Sequence, residues 1–263
     1  MCYYNAIKIK ATDIIHLKGI DKKPLQVDLF KDVQSGFDYP QWPVIVPAKD
    51  CTWEIKMLEW GFIPPYLRNR EAVKKMREGF KMEDGKFKLP LIMLNAIGEE
   101  ILLTKKIFRN AALERRCLVL SSGFYEWRHV LPIGKNGKPL KTAVKYPYHI
   151  KLKNVPYFFM AGIWQSWTDK DSGEMVDSFA IITTAANSLM EKIHNTKKRM
   201  PVILPEALAA EWISDDLDET RIQEIASHKM SANEMEAYTI AKNFRESLNP
   251  MEAFNYAGLK EIS

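Results

Sequence analysis

Cys117-Leu118-Val119-Leu120-Ser121-Ser122-Gly123-Phe124-Tyr125-Glu126-Trp127 is an apolar and aromatic run with one small, polar corner at Ser121-Ser122-Gly123. It reads as two short strands, Cys117–Leu120 and Phe124–Trp127, bounded by turn chemistry. Working outward, the same texture recurs at Cys2–Ile9, Val44–Val46, Trp53–Trp60, Leu91–Asn95, Tyr146–Leu152, Tyr157–Ile163, Phe179–Thr183 and Val202–Leu204. Gly134-Lys135-Asn136-Gly137-Lys138-Pro139 contains an Asn-Gly pair and predicts a hairpin tip. Asp169-Lys170-Asp171-Ser172-Gly173 predicts a polar turn between two strands. Helices are fewer: Leu67–Glu78, Ile107–Glu114, Ala186–Ile193 with Thr184 as N-cap, Pro205–Ile213 with Pro at the first helical position, and Glu219–Ser227. Strands and helices do not alternate regularly, which excludes a doubly wound parallel sheet and predicts an α+β fold. Residues 1–240 read as a single domain, and 241–263 as a C-terminal tail packed on it or loosely attached.

The chain has 263 residues, 46% hydrophobic and 27% charged, enough to bury a sizeable core and too ordinary for long-range disorder. Lys plus Arg number 38 and Asp plus Glu 33, a net +5 that permits a polyanionic partner without requiring one. No apolar run is long enough for a membrane span. The opening residues lack a signal-peptide pattern, so a cytoplasmic protein is expected, nucleoid-associated if prokaryotic. Cys2, Cys51 and Cys117 are an odd count without CxxC spacing, so neither a disulfide framework nor a metal site is expected. Cys51 and Cys117 lie in apolar runs and read as small buried hydrophobes. No cofactor is expected.

Cys2 is notable for its position. Removal of Met1 would leave an α-amine and a thiol on adjacent carbons, a 1,2-aminothiol that no internal cysteine offers. The α-amine has a reference pKa of about 7.7–8.0, so its free fraction at neutral pH is roughly 300-fold that of a lysine. Such an amine attacks an aldehyde to give an imine, and the neighbouring thiol then closes a thiazolidine ring intramolecularly. The alternative is that Cys2 merely begins an edge strand.

Three polar residues could serve it. Glu126 stands inside an aromatic strand, where apolar neighbours would raise its pKa toward a value useful for acid–base work. It could equally face solvent on an alternating strand. His194 precedes Asn195-Thr196-Lys197-Lys198-Arg199-Met200-Pro201, whose cations would favour the neutral imidazole; it reads either as functional or as a solvated loop histidine. Asn95 closes the apolar run Leu91–Leu94 and is either a turn residue or a buried amide that must find hydrogen bonds. His16, His129, His149 and His228 have no comparable setting and are left as structural or surface residues.

Taken together, Met1-Cys2, Asn95-Ala96-x-x-Glu99, Gly123-Phe124-Tyr125-Glu126-Trp127, and Ile193-His194 running on to Arg199-Met200-Pro201 resemble the SOS response-associated peptidase (SRAP) family, the abasic-site processing proteins. Trp60-Gly61-Phe62-Ile63-Pro64 and Ala161-Gly162-Ile163-Trp164 add to the likeness, which spans roughly residues 1 to 240. The resemblance implies a mostly antiparallel, curled or barrel-like β core with peripheral helices. It implies a monomer that binds single-stranded DNA containing abasic sites, with no membrane partner and no metal. Cys2, freed by autoproteolytic loss of Met1, would form a thiazolidine crosslink with the ring-opened sugar. By the same likeness Glu126 would be the acid–base residue for ring opening and Met1 removal, His194 would assist proton transfer, and Asn95 would hold the terminus and the sugar. Such a protein is an enzyme of the SRAP peptidase type with lyase-like chemistry.

Three departures stand out. Tyr3-Tyr4 replaces the usual Gly-Arg, Ile97 replaces the Arg of Asn-Ala-Arg, and the His-x-Arg-Met-Pro motif is lengthened to His194 through Pro201. Lys197, Lys198 and Arg199 are expected to restore some of the lost phosphate-binding charge. Single-strand binders combine a cationic track with aromatic platforms; by the resemblance Trp60 and Trp127 lie near the DNA path. Arg68, Arg70, Lys74 and Lys75, and again Arg115 and Arg116, form basic clusters that read either as DNA contacts or as solvated faces. Strand alternation turns Trp127 away from Glu126 unless a bulge intervenes. Two further functions remain open at this level: an amide hydrolase with an N-terminal Cys nucleophile, and a non-catalytic single-strand-binding module.

Overall fold

The corner at Ser121-Ser122-Gly123 carries the chain from one sheet to another. The computed structural model describes residues 2–22, 28–49 and 52–262. Before the corner, β10 (Arg116–Ser121) is buried along its whole length and hydrogen-bonded on both sides. A strand walled in this way must read as a continuous apolar run, as it does. After the corner, β11 (Gly123–Val130) is buried over its first half and only half-buried beyond Glu126.

The larger sheet runs β15 (Arg199–Pro201), β14 (Met175–Ala185), β6 (Trp53–Trp60), β5 (Gln41–Pro47), β10, β13 (Phe158–Thr168), β16 (Ile203–Leu204), with β9 (Asn95–Ile97) beside β14. The smaller sheet runs β17 (Met235–Thr239), β12 (Val144–Leu152), β11, β1 (Tyr4–Ile9), β4 (Leu29–Ser35). Two small hairpins, β2 (Ile15–Leu17) with β3 (Ile20–Lys22) and β7 (Phe80–Lys81) with β8 (Phe87–Lys88), complete the strands. Pairing is antiparallel except where β14 meets β6 and β9. Among the described residues five short α-helices lie around this core: α1 (Arg70–Glu78), α2 (Arg109–Glu114), α3 (Ser188–Ile193), α4 (Glu206–Trp212) and α5 (Glu219–Ala226). The architecture is the expected α+β one, mostly antiparallel, and a single hydrophobic cluster draws on both large sheets.

Several sequence expectations need correction. Leu91–Leu94 is not strand; its backbone serves three neighbours, with Leu91 N–H donating to Met76, Phe62 N–H to Met93 and Ile181 N–H to Leu94. Thr184 does not cap α3, because β14 continues through Ala185; Asn187 caps it, its side-chain oxygen accepting from Met190 N–H at 2.9 Å. Pro205 sits at the cap position and the helix proper begins at Glu206. The β2–β3 hairpin and the strands β4 and β17 were not anticipated, since Leu-Phe-Lys-Asp-Val-Gln-Ser and Met-Glu-Ala-Tyr-Thr are too polar to stand out. Cys51 lies outside the described residues, whereas Cys117 is buried as expected.

The segment after Ile240 packs on the smaller sheet. Phe244 is buried and stacks on Tyr125 with ring centroids 5.0 Å apart. Phe254 N–H donates to Thr239 at 2.8 Å, and the Tyr256 hydroxyl donates to Ile240 at 2.7 Å. Gly123 is required by crowding on this face: a Cβ there would come within 2.3 Å of the His149 ring.

Candidate active site

Alternation along β1 and β11 separates two environments. Tyr4 lies opposite Tyr125, and both pack with Ala6, Trp127 and Phe244 on one face. Tyr3, Asn5, Phe124 and Glu126 therefore fall on the other face, toward the main core. Trp127 is turned away from Glu126, as alternation predicts, and lies edge-on to Tyr4 at 5.2 Å and near Phe244 at 6.1 Å.

On the Glu126 face the residues singled out from sequence converge. Cys2 precedes β1 and is fully buried. Its carbonyl accepts a hydrogen bond from Asn95 Nδ2 at 3.0 Å, tying the N-terminal segment to the start of β9. Asn95 Oδ1 is buried and has no hydrogen-bond partner among the described residues. Burial, reinforced by the charge of Glu126, pushes the Cys2 thiol well above its ordinary range. Burial likewise raises the Glu126 carboxyl to about 7. Its Oε2 lies 3.9 Å from His194 Nε2.

His194 follows the last turn of α3 and is buried. Its Nδ1 lies 2.8 Å from the Arg199 carbonyl oxygen and 3.4 Å from the Arg199 nitrogen. A carbonyl only accepts, so the shorter contact assigns the proton to Nδ1 and leaves a lone pair on Nε2 facing Glu126. Burial lowers the His194 pKa to about 4, which keeps the ring neutral. The lengthened segment does not carry His194 away from its place. Lys198 N–H donates to His194 O at 2.8 Å and Lys198 takes a left-handed φ of 51°, so the extra residues form a tight turn that returns Arg199 to the imidazole.

The turn presents Lys197 and Lys198 to solvent. Arg199 is different. Its guanidinium is held inward by Glu99 at 2.7 Å and by the Thr183 carbonyl at 2.5 Å. Glu99 also accepts from Thr184 Oγ1 at 3.0 Å and Ala185 N–H at 2.9 Å. Burial alone would raise the Glu99 pKa, but these bonds, led by that from Arg199, hold it below the usual value. Asn95-Ala96-x-x-Glu99 is thus one unit: its first residue fixes Cys2 and its last fixes the segment that holds His194.

Other residues considered as DNA contacts are buried or paired within the fold to differing degrees. Trp60 is fully buried, donates its Nε1–H to Leu94 at 3.1 Å and stacks on Phe179, so it cannot offer a face to DNA. Trp127 is half-buried beneath the C-terminal segment and does not line this site. Arg116 is buried and donates to the Trp212, Ala112, Leu113 and Ser214 carbonyls, and Arg115 pairs with Glu114. Arg70 bridges Glu174 and Glu59, and Arg68 pairs with Asp171. Lys75 pairs with Glu71. Sequence reasoning missed Asn5, whose Oδ1 accepts from Ser121 Oγ at 2.6 Å and links β1 to β10; a lone buried Asn on a strand gives little signal. Among the described residues no three His, Cys, Asp or Glu side chains gather to hold a metal ion, and no helix is long and apolar enough to cross a membrane.

Residues 35–247 match the model of the SOS response associated peptidase (SRAP) family. The chain belongs to the SRAP family. Its relatives include the Abasic site processing protein YoqW of Bacillus subtilis, 32% identical over 184 residues, covering 70% of this chain and 68% of that protein. Abasic site processing protein HMCES of Xenopus tropicalis is 25% identical over 214 residues, covering 66% of this chain and 57% of that protein. A crystal structure of a protein from Bacteroides thetaiotaomicron superposes with a TM-score of 0.72 at 30% identity, covering 95% of this chain and 97% of that one. The SRAP-type fold and the family resemblance therefore stand.

Proposed function

We propose that this chain captures abasic sites in single-stranded DNA as a covalent thiazolidine through Cys2, once residue 1 has been removed. The observation that carries the reading is the buried constellation of Cys2, Asn95, Glu126 and His194, gathered from four separate segments in a family whose relatives are named abasic site processing proteins. The placement of Met1 lies outside the described residues, and its removal is part of the proposal.

A thiol held above its ordinary range is a poor first nucleophile, so the α-amine attacks first. Its nitrogen bonds to the aldehyde carbon of the ring-opened sugar and the carbonyl oxygen becomes a hydroxyl. With a pKa of about 7, Glu126 is partly protonated at neutral pH and donates to that hydroxyl as it leaves as water. Loss of water leaves an iminium that returns its N–H proton to Glu126; the imine then accepts the Cys2 sulfur at the same carbon, and the thiol proton passes to nitrogen. One aldehyde and one aminothiol thus give one thiazolidine and one water. His194 Nε2, with its lone pair directed at Glu126, relays protons between the carboxyl and the sugar. The Asn95 amide positions Cys2 through its carbonyl, and its unpartnered Oδ1 is an acceptor for a sugar hydroxyl. Lys197 and Lys198 supply phosphate contacts in place of Arg199, which Glu99 retains. In the same reading Glu126 serves as the base for autoproteolytic release of Met1. The reaction needs one copy of the chain and takes place where single-stranded DNA is met, in the cytoplasm or nucleoid.

The same burial disfavours the amide hydrolase, which requires a thiolate as the attacking group. The test is a denaturing gel after incubation with an oligonucleotide carrying a natural abasic site. A heat-stable shifted band from the parent and none from Cys2→Ala is expected. Equal bands from both would remove Cys2 from the chemistry.

A further inference from the structure

The position after the reactive cysteine, where the family pattern has glycine, is a tyrosine here, and it does not stand alone. The Tyr3 and Phe37 rings lie 4.8 Å apart, tilted by 45°. Tyr3 is half-buried against the main core, whereas Phe37 is 43% exposed. Phe37 sits in the 3-10 turn Gly36–Asp38 that follows β4. Gly36 N–H donates to the Tyr3 carbonyl at 2.8 Å, and Ser35 Oγ accepts from Phe37 N–H at 3.2 Å. Beneath the turn is the buried Trp60 ring, so close that a Cβ on Gly36 would meet it at 3.1 Å. The exposed ring is therefore held on a rigid support, and Trp60 acts from below. Tyr3 shares a face with Glu126, and the Glu126 charge helps to raise the Tyr3 phenol.

Phe37 is set apart from the other exposed apolar side chains by its ring contact with Tyr3, the residue next to Cys2, which places an open aromatic face beside the site. An abasic site in a single strand supplies a matching ligand: the base next to the lesion has lost its stacking neighbour on that side. Aromatic side chains replace such stacking with little regard to base identity. We propose that Tyr3 and Phe37 form a stacking subsite for the nucleobase adjacent to the lesion, with Phe37 presenting the contact face. This deepens the abasic-site reading and rests on it. Purines, with the larger π-face, occupy it better than pyrimidines.

The probe is an oligonucleotide carrying a tetrahydrofuran abasic analogue, which has no aldehyde and so reports binding alone, with 2-aminopurine on one side or the other of the analogue. Parent protein is expected to quench the fluorescence when 2-aminopurine occupies one of the two flanks. Phe37→Ala should lose that quenching and bind about 10-fold more weakly. Phe37→Trp should keep both, and melting curves on each variant report folding separately. Affinity and quenching unchanged in Phe37→Ala would overturn the subsite, as would binding by the parent with no quenching on either flank. The parent is also incubated with a natural abasic oligonucleotide. Failure to crosslink there would sink the underlying reading, whereas efficient crosslinking with no Phe37 effect sinks the subsite alone.

Discussion

Glu126 and His194 are buried side by side, and burial moves their pKa values toward each other and past: the carboxyl up to about 7, the imidazole down to about 4. At neutral pH the carboxyl is the group that exchanges a proton and the imidazole is the neutral acceptor beside it. The rate of crosslinking should hold below about pH 7 as far as Glu126 is concerned and fall as the pH rises through its pKa. The α-amine imposes the opposite limb, since it must be deprotonated to attack, so a bell-shaped profile is expected. Glu126→Gln, with residue 1 removed by added methionine aminopeptidase so that the Cys2 amine is free, should slow crosslinking at least 100-fold, flatten the alkaline limb and leave binding to the tetrahydrofuran analogue in place. A wild-type profile in that variant would remove Glu126 from the acid–base step. Stability carries the same signature. Glu126 has its folded pKa raised, so its contribution is fully present below about pH 4.5 and is lost as pH rises through about 7. His194 has its folded pKa lowered, so its contribution is present above about 6.5 and is lost as pH falls through about 4. The two slopes oppose each other in the parent. Thermal melts of Glu126→Gln should therefore gain on the parent as the pH rises from 5 to 8, and a constant offset would contradict the assignment.

Among the elements, the turn between α3 and β15 decides how this chain differs from the family pattern. It lengthens the path from His194 to Arg199, yet the left-handed Lys198 folds the excess back and the 2.8 Å contact to the Arg199 carbonyl survives. The lengthened segment was plain in the sequence. That the reach is preserved was not, because it depends on one backbone conformation and on the Glu99–Arg199 pair across the sheet. The turn's outward product is the Lys197-Lys198 pair. Replacing both by Ala should reduce the slope of log affinity against log salt by about 1.4 for single-stranded DNA. An unchanged slope, measured by fluorescence anisotropy, would show that the turn does not touch phosphate. The strands and helices around the site were legible wherever burial left a mark on composition, as in β10 and β13. Polar edge strands such as β4 and β17 were invisible for the opposite reason. The tryptophans misled because the same ring serves a core and a stacking platform, and only burial tells Trp60 from an exposed aromatic such as Phe37.

At the scale of the molecule, Cys2 is buried where β1 of the smaller sheet meets β9 of the larger one, and the C-terminal segment closes the far side of β11. Phe244 stacks on Tyr125, one residue from Glu126 but on the opposite face. Phe244→Ala should cost about 3–5 kcal/mol of stability, measured by denaturant unfolding. A loss below about 1 kcal/mol would mean the segment adds little to the fold. Family membership and the fold were both readable from the order of four short motifs, because each combines residue types that rarely occur together by chance. The DNA path was not readable, since backbone contacts need only charge and exposure. The decisive measurement is the intact mass of the denatured adduct formed with a natural abasic oligonucleotide. The expected mass is that of the chain without residue 1, plus the oligonucleotide, less one water, and the adduct should be absent for Cys2→Ala. An adduct that retains residue 1, or one that forms equally without the Cys2 sulfur, would contradict thiazolidine capture.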